Sequence, residues 1–187
     1  MIVWPLIGLA LWLVLAGASS WLWAPQPRSG RSPLTRIPVL VAVLVIEIVF
    51  TGVVAWLGAL SSPLGQPWSW AAVAVGAIAA LLGGGAVVLS VFALTDASSP
   101  PGTPRVQRAV LRGGTWIGGL ERLAVLGTLL AGWPDGIVAI LAVKAFARYP
   151  ELKTGQGTGA IERFIIGTFT SLGWAASCAG VVVVMLR

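Results

Sequence analysis

Long apolar segments alternate with short polar connections along this chain. A bilayer core of about 30 Å needs about 20 consecutive apolar residues in a transmembrane helix, and six segments are candidates for such helices. They are Ile2–Trp23, Ile37–Leu60, Trp68–Leu94, Gly114–Gly132, Gly136–Ala147 and Ile161–Leu186. The pattern predicts an all-α fold, a polytopic transmembrane helix bundle with six spans.

The fifth candidate span is the shortest. Gly136–Ala147 contains about a dozen residues, which extend only about 18 Å at 1.5 Å per residue. It crosses a bilayer only if the membrane thins or if flanking residues lengthen the helix. A re-entrant fifth segment is the alternative that the sequence leaves open.

Three prolines mark a boundary near the middle of the chain. Pro100, Pro101 and Pro104 lie in one connection, and proline clusters of this kind are typical of loops. The sequence therefore predicts an N-terminal three-helix half (1–96), a cytoplasmic Pro/Arg loop (97–113) and a C-terminal three-helix half (114–187).

Basic residues concentrate in alternate connections. The basic connections carry Arg28, Arg31 and Arg36, then Arg105, Arg108 and Arg112, then Arg148, Lys153 and Arg163. The other two connections, 61–67 and 133–135, carry no basic residue. Cytoplasmic loops are enriched in Lys and Arg, so we expect a bacterial cytoplasmic (inner) membrane protein with both termini outside. A re-entrant fifth segment would place the C-terminus inside.

Composition excludes a water-soluble globular protein. Hydrophobic residues make up 57% of the 187 residues and charged residues only 10%, and the mean hydropathy is +0.93. The formal net charge of +6 would suggest a nucleic-acid partner in a soluble chain. Here the basic residues lie between apolar runs, so the expected partners are anionic lipid headgroups at the cytoplasmic face and not nucleic acid.

The sequence lacks the residues that several kinds of metal-binding and catalytic site require. The chain has no histidine and a single cysteine, Cys178, which excludes a Cys/His metal site, an intramolecular disulfide and a Ser-His-Asp triad. Cys178 lies in an apolar segment and is interpreted as a small core residue. The glycine run 83–85 follows no strand and lacks the lysine of a phosphate-binding loop. We therefore expect no cofactor, no metal and no catalytic residue.

Small residues recur every four positions in three of the candidate helices. They are Gly76, Ala80 and Gly84, then Gly114 and Gly118, then Gly167, Ser171, Ala175 and Ala179. Such faces allow close approach of a neighbouring backbone, either within the chain or in a homo-oligomer. The run Gly83-Gly84-Gly85 weakens a helix by about 1 kcal/mol per glycine relative to alanine, and it predicts a kink or a close helix crossing.

Four charged residues fall inside predicted spans. Glu47 lies in the second, Glu121 and Arg122 in the fourth, and Lys144 in the fifth. Intramembrane charges are usually paired or functional. Neighbours on a helix point about 100° apart, so Glu121 and Arg122 each need a partner on another helix. We predict that Glu121 pairs with Lys144, and Arg122 with Glu47 or Glu162.

The charged residues have two interpretations. They form interhelical ion pairs that fix the bundle, with Lys144 reaching towards the headgroups, or they line a polar cavity open to the cytoplasm. Apolar residues can often replace an ion pair used only for packing at little cost. The sequence does not decide between these interpretations.

The C-terminal half resembles a known group of proteins. The resemblance lies between Gly113 and Ala176, in the sequences Gly-Gly-Thr-Trp-Ile-Gly-Gly-Leu-Glu-Arg, Ala-Val-Lys-Ala-Phe-Ala-Arg-Tyr-Pro-Glu-Leu and Glu-Arg-Phe-Ile-Ile-Gly-Thr-Phe-Thr-Ser. It is similar to uncharacterised multi-pass inner-membrane proteins of bacteria, in particular actinobacteria, and to the C-terminal membrane part of a domain family of unknown function. The resemblance implies a location but no activity. It adds Arg148, Glu162 and Arg163 to Glu121, Arg122 and Lys144 as motif positions.

Three functions follow as hypotheses. A small transporter or channel-like protein would use the charged residues to bind an ion or a polar headgroup, and Glu121→Gln would abolish flux. A non-catalytic partner or assembly subunit of a cell-envelope complex would use the small-residue faces and basic loops for docking. An enzyme acting on lipid-linked substrates would need Glu121 or Glu47 as general base, and the missing motifs disfavour it.

Overall fold

The computed structural model describes residues 3–22, 37–97, 114–153 and 158–187. These residues form helices and short turns, without any strand in the described ranges. The helices are α1 (Val3–Leu22), α2 (Ile37–Ala59), α3 (Trp68–Ala97), α4 (Gly114–Leu130), α5 (Gly136–Lys153) and α6 (Thr158–Leu186). Each predicted segment overlaps one of them, which confirms the all-α prediction for the described residues.

Four of the helices are long and apolar enough to cross a membrane. The qualifying segments are Val3–Ser20, Pro38–Ala59, Trp68–Asp96 and Ile161–Leu186. The described helices thus indicate an integral membrane protein, whereas α4 has 17 residues and the apolar part of α5 is shorter than a full span. Spanning by the fourth and fifth segments remains a prediction.

Helix α5 extends further than its predicted span. It continues beyond Ala147 through Pro150 to Lys153, for 18 residues in total. The sequence prediction stopped where the apolar residues stop, but a charged side chain changes the solvent preference of a helix without ending its backbone hydrogen bonds. The longer helix extends about 27 Å at 1.5 Å per residue.

Contacts between α1, α2 and α3 give an up-and-down arrangement. Gly8 near the start of α1 faces Val54 near the end of α2. Trp12 Nε1 donates to Thr51 Oγ1 at 3.0 Å. In the turn after α2, the backbone N of Leu64 donates to the carbonyl oxygen of Met185 at 3.0 Å. Successive helices therefore run in opposite directions, and the ends of α2 and α6 meet at one end of the bundle.

At the other end of the bundle lie the ends of α1 and α3 and the starts of α2, α4 and α6. We call it the arginine-rich end, because the connections 23–36, 98–113 and 154–157 join helices there and contain most of the arginines. Those connections lie outside the described residues. The predicted Pro/Arg loop is among them, and the topology of the chain relative to the membrane remains a prediction.

Helices α3 and α6 form the centre of the bundle. Helix α3 packs against α1, α2, α4 and α6, whereas α5 packs mainly against α4. At the α3–α6 crossing a Cβ on Gly76 would lie 2.5 Å from Val182 Cγ2, and one on Gly167 would lie 2.7 Å from Phe92 Cζ. The small-residue faces of α3 and α6 therefore serve packing within the chain. The two predicted halves meet along this crossing, and their separation into domains stays a prediction.

The outward surface of the bundle is apolar. On α2 the exposed side chains include Val45, Ile46, Val49, Val53 and Trp56. A contiguous apolar surface of this kind is rare on soluble monomers. Acyl chains are the environment in which such a face is stable, in agreement with the transmembrane interpretation.

Candidate functional site

Arg122 is buried at the junction of three helices. Its side chain projects from α4 towards α3 and α6 and is only 7% exposed. Nη2 donates to the carbonyl oxygen of Leu81 at 3.2 Å, and Nη1 approaches Ser171 Oγ at 3.5 Å. Nε has no hydrogen-bond partner among the described residues. The guanidinium is thus held by dipoles rather than by a carboxylate on another helix.

The glycine run of α3 makes room for two large side chains. A Cβ on Gly84 would lie 2.5 Å from Cδ and 2.6 Å from Nε of Arg122. A Cβ on Gly83 would lie 2.6 Å from Cζ2 of Trp174, whose Nε1 donates to the carbonyl oxygen of Ala79 at 3.1 Å. The predicted close crossing is confirmed, and α3 continues through the run as one helix.

We expect Gly84→Ala to lower the free energy of unfolding by about 1–3 kcal/mol, the usual cost of overpacking a filled interior. The new methyl group would overlap the Arg122 stem, which cannot move without losing its contact with Leu81. Thermal unfolding in detergent measures the change. Gly85→Ala is the matched control, because nothing lies within 4 Å of its Cβ position. A loss of equal size in both variants would contradict the assigned role of Gly84.

Glu121 and Lys144 form an ion pair between α4 and α5. The two side chains are 13% and 22% exposed respectively, and Lys144 Nζ also lies 5.9 Å from the centroid of the Phe164 ring. The predicted pairing of Glu121 with Lys144 is confirmed. Lys144 thus contacts two neighbouring helices, α4 and α6. This pair attaches the peripheral helix α5 to the bundle.

A second ion pair lies at the arginine-rich end. Arg163 of α6 binds Asp96 of α3, and its guanidinium carbon lies 5.3 Å from the centroid of the Phe92 ring. Sequence analysis missed Asp96, because the predicted third span ended at Leu94. The neighbouring Glu162 is exposed. Arg148 lies in α5, and its side chain is outside the described residues.

Glu47 is a fully buried carboxyl group on α2. Neither Oε1 nor Oε2 has a hydrogen-bond partner among the described residues. The neighbouring hydroxyl is that of Ser19 on α1, which donates its proton to the carbonyl oxygen of Ala16 at 3.0 Å. One turn along α2, the Thr51 hydroxyl accepts from Trp12. Glu47 is therefore surrounded by polar groups that are already engaged.

The predicted pairing of Arg122 with Glu47 or Glu162 is wrong. Arg122 binds Leu81 and Ser171 instead, while Glu162 lies at the surface. Helix α2 packs against α1, α3 and α6, whereas α4 packs against α3, α5 and α6. Glu47 and Arg122 therefore project from helices that do not pack closely against each other, which a linear sequence does not show.

A groove of about 400 Å³ lies between α2 and α6. The lining residues are Ile48, Thr51, Gly52, Ala55, Trp174, Ser177, Gly180, Val181 and Val184. None of the seven charged residues singled out in the sequence lines this groove. It is an apolar groove at the surface of the bundle and not the polar cavity that one interpretation of the sequence predicts.

The buried polar residues do not assemble a metal site. Across the described residues, no group of three or more His, Cys, Asp or Glu side chains is close enough to hold a metal ion. Among the described residues, the arrangement offers a buried carboxyl group and a buried guanidinium, each without an ion-pair partner on another helix, and two interhelical ion pairs. Of these, the carboxyl group and the guanidinium are the candidates for function, because the pairs already stabilise helix contacts.

Comparisons with known proteins do not identify relatives. No family model matches the chain, and no match was found among curated proteins or solved structures. The resemblance of the segment 113–176 to bacterial inner-membrane proteins therefore remains a prediction. The functional argument rests on the described geometry alone.

Proposed function

We propose that this protein is a small transporter or channel-like protein of the bacterial cytoplasmic membrane, and that Glu47 is its ion-binding group. The observation that carries the proposal is the burial of Glu47, which is 0% exposed while neither of its oxygens has a hydrogen-bond partner among the described residues. Charged residues at this depth mark ion pathways or proton relays in many membrane proteins. The proposal treats Glu47 as one of them.

Two other acidic side chains in the described helices illustrate the contrast. Glu121 is paired with Lys144, and Asp96 is paired with Arg163. Each pair joins two helices, and this structural role explains why the acidic residue is present. No comparable structural role accounts for Glu47, and leaving a buried polar group without a partner costs free energy. A cost of this kind is tolerated where the group binds something transiently.

The orientation is part of the proposal. With the arginine-rich end in the cytoplasm, both termini are outside, as the positive-inside rule favours. Glu47 is the eleventh residue of α2 counted from that end, close to the middle of this 23-residue helix. The binding group would then be reached from either side of the membrane by similar distances.

Glu47→Gln tests the function in lipid vesicles that contain the purified full-length protein. We expect wild-type vesicles to pass current under an imposed ion gradient, and the Glu47→Gln protein to fall to the level of protein-free vesicles, because the amide keeps the shape but carries no negative charge. Solid-supported membrane electrophysiology measures the current for any charged solute. Asp135→Asn is the matched control, since Asp135 lies exposed in the turn before α5.

The outcomes are distinct. Loss of current in Glu47→Gln with normal current in Asp135→Asn supports the proposal. Equal currents in wild type and Glu47→Gln would remove Glu47 from the pathway. The absence of current in wild-type vesicles under Na⁺, K⁺, Cl⁻ and pH gradients would overturn the transport function as a whole.

The groove between α2 and α6 favours a second candidate function, a non-catalytic partner or assembly subunit of a cell-envelope membrane complex. Gly52, Ala55 and Gly180 line it, and small residues allow another helix to approach closely. Stable recovery with one membrane protein from native membranes would support this alternative. Purification in mild detergent as a lone, monodisperse species would contradict it.

A further inference from the structure

We infer that the ion bound at Glu47 is a proton, and that the described conformation is the proton-loaded one, with Glu47 in its neutral carboxylic acid form. This inference rests on the proposed function and specifies its substrate. It has two supports on the structure: the shortage of oxygen ligands around Glu47 and the absence of a facing cation among the described residues.

The first support concerns ligands. Metal cations in proteins are coordinated by several oxygen atoms; calcium takes 6–8 of them. Glu47 is the sole carboxylate on α2, and the oxygen of Thr51 already accepts from Trp12. In membrane transporters such ligands commonly come from backbone carbonyls of interrupted helices. Helices α1, α2, α3 and α6 are continuous, so their carbonyls are committed to helix hydrogen bonds. A proton needs only one oxygen atom.

The second support concerns charge. Helices α1, α3 and α6 pack against α2. Helix α1 contains no ionisable side chain, and α3 contains only Asp96, which is paired with Arg163 at the arginine-rich end. Helix α6 contributes Glu162 and Arg163 at that same end, and the neutral thiol of Cys178 opposite Glu47.

No cation in the described residues therefore faces Glu47 directly. Arg122, on α4, is bound to Leu81 and Ser171. An isolated buried carboxylate is strongly disfavoured, and such a group takes up a proton instead. The neutral acid is the form that the surroundings of Glu47 stabilise.

Proton uptake and release at Glu47 change a single bond. On loading, a proton from water forms the O–H bond of Glu47, and on release the same bond breaks and the proton returns to water. No other bond changes.

Infrared spectroscopy tests the protonation state in the full-length protein in phosphatidylcholine and phosphatidylglycerol vesicles at neutral pH. We expect the C=O stretching band of a protonated carboxylic acid in the wild type, absent from Glu47→Gln and retained in Asp135→Asn. If Glu47→Gln does not fold, Glu47→Asp keeps a carboxylic acid and should shift the band rather than remove it. A wild-type spectrum without a band that depends on residue 47 would overturn the inference.

A flux measurement separates this inference from the proposed function. Vesicles loaded with a pH-sensitive dye should lose an imposed pH gradient in wild type but not in Glu47→Gln, and Na⁺ or K⁺ gradients at constant pH should drive no current. Current that depends on Glu47 and follows Na⁺ or K⁺ but not pH would overturn the proton while leaving the transport function intact. If no gradient produces a current or a pH change, both the inference and the proposed function are overturned.

Discussion

Trp174→Ala is expected to destabilise the bundle by about 3–5 kcal/mol, the range measured when a buried Trp or Phe is truncated to alanine. Trp174 is 5% exposed and fills the space above Gly83 at the α3–α6 crossing. Its Nε1 also donates to the carbonyl oxygen of Ala79. Truncation removes that bond and leaves a cavity between the two central helices, which cannot close because both pack against several neighbours.

Trp116→Ala is the control for this prediction. Trp116 lies near the start of α4 and is 78% exposed, so its removal creates no cavity inside the bundle. Denaturant titration in mixed micelles, followed by circular dichroism, gives the free energy of unfolding for both variants. Similar losses in the two variants would mean that packing at the α3–α6 crossing does not dominate the stability of the bundle.

The helices were predictable because their signals are local. Apolar runs of membrane length, separated by breakers such as Pro63 and Pro67 or by arginines, define each segment without knowledge of its neighbours. The end of α5 was missed because its last turn is polar, and polarity says little about whether a helix continues. Whether α4 and α5 cross the membrane depends on their neighbours and on the lipid, and no local pattern decides it.

Side-chain pairing was only partly predictable. Glu121 and Lys144 lie at matching depth on consecutive helices joined by a short turn, which leaves few alternative partners. Arg122 donates to the carbonyl oxygen of Leu81. A sequence pattern does not reveal a backbone acceptor of this kind. A guanidinium carries five donors and can bind backbone oxygens as well as carboxylates, so the choice depends on helix rotation.

The glycine run 83–85 predicted a close helix crossing but not the side chains that approach it. Three consecutive glycines indicated a close approach, yet nothing in the sequence identified Arg122 and Trp174 as the groups that approach. Trp12 is likewise buried and bonded to Thr51, although tryptophans of membrane proteins are enriched at the interfaces. The burial of Trp12 follows from the packing of α1 against α2, and the burial of Trp174 follows from the packing of α6 against α3. Neither follows from the residue type.

Arg122→Met is expected to stabilise the protein and to reduce its transport. Methionine reproduces the unbranched stem that lies over Gly84 but removes a buried charge that has no carboxylate partner on another helix. Replacing buried ionic groups by apolar residues of similar volume is often neutral or stabilising by about 1–4 kcal/mol. Thermal unfolding in detergent should therefore show an equal or higher midpoint than the wild type.

Proton flux should fall in Arg122→Met, although stability should stay equal or rise. Arg122 and Glu47 are both buried in the interior of the same bundle, and the field of a cation reaches further in a low-dielectric interior than in water. Without that cation the ionised form of Glu47 loses support, so release of the proton becomes the slow step and flux falls. Arg187→Met, at the exposed C-terminal residue, controls for the loss of one positive charge. A variant that is destabilised yet transports normally would show that Arg122 serves packing, and that Glu47 works without it.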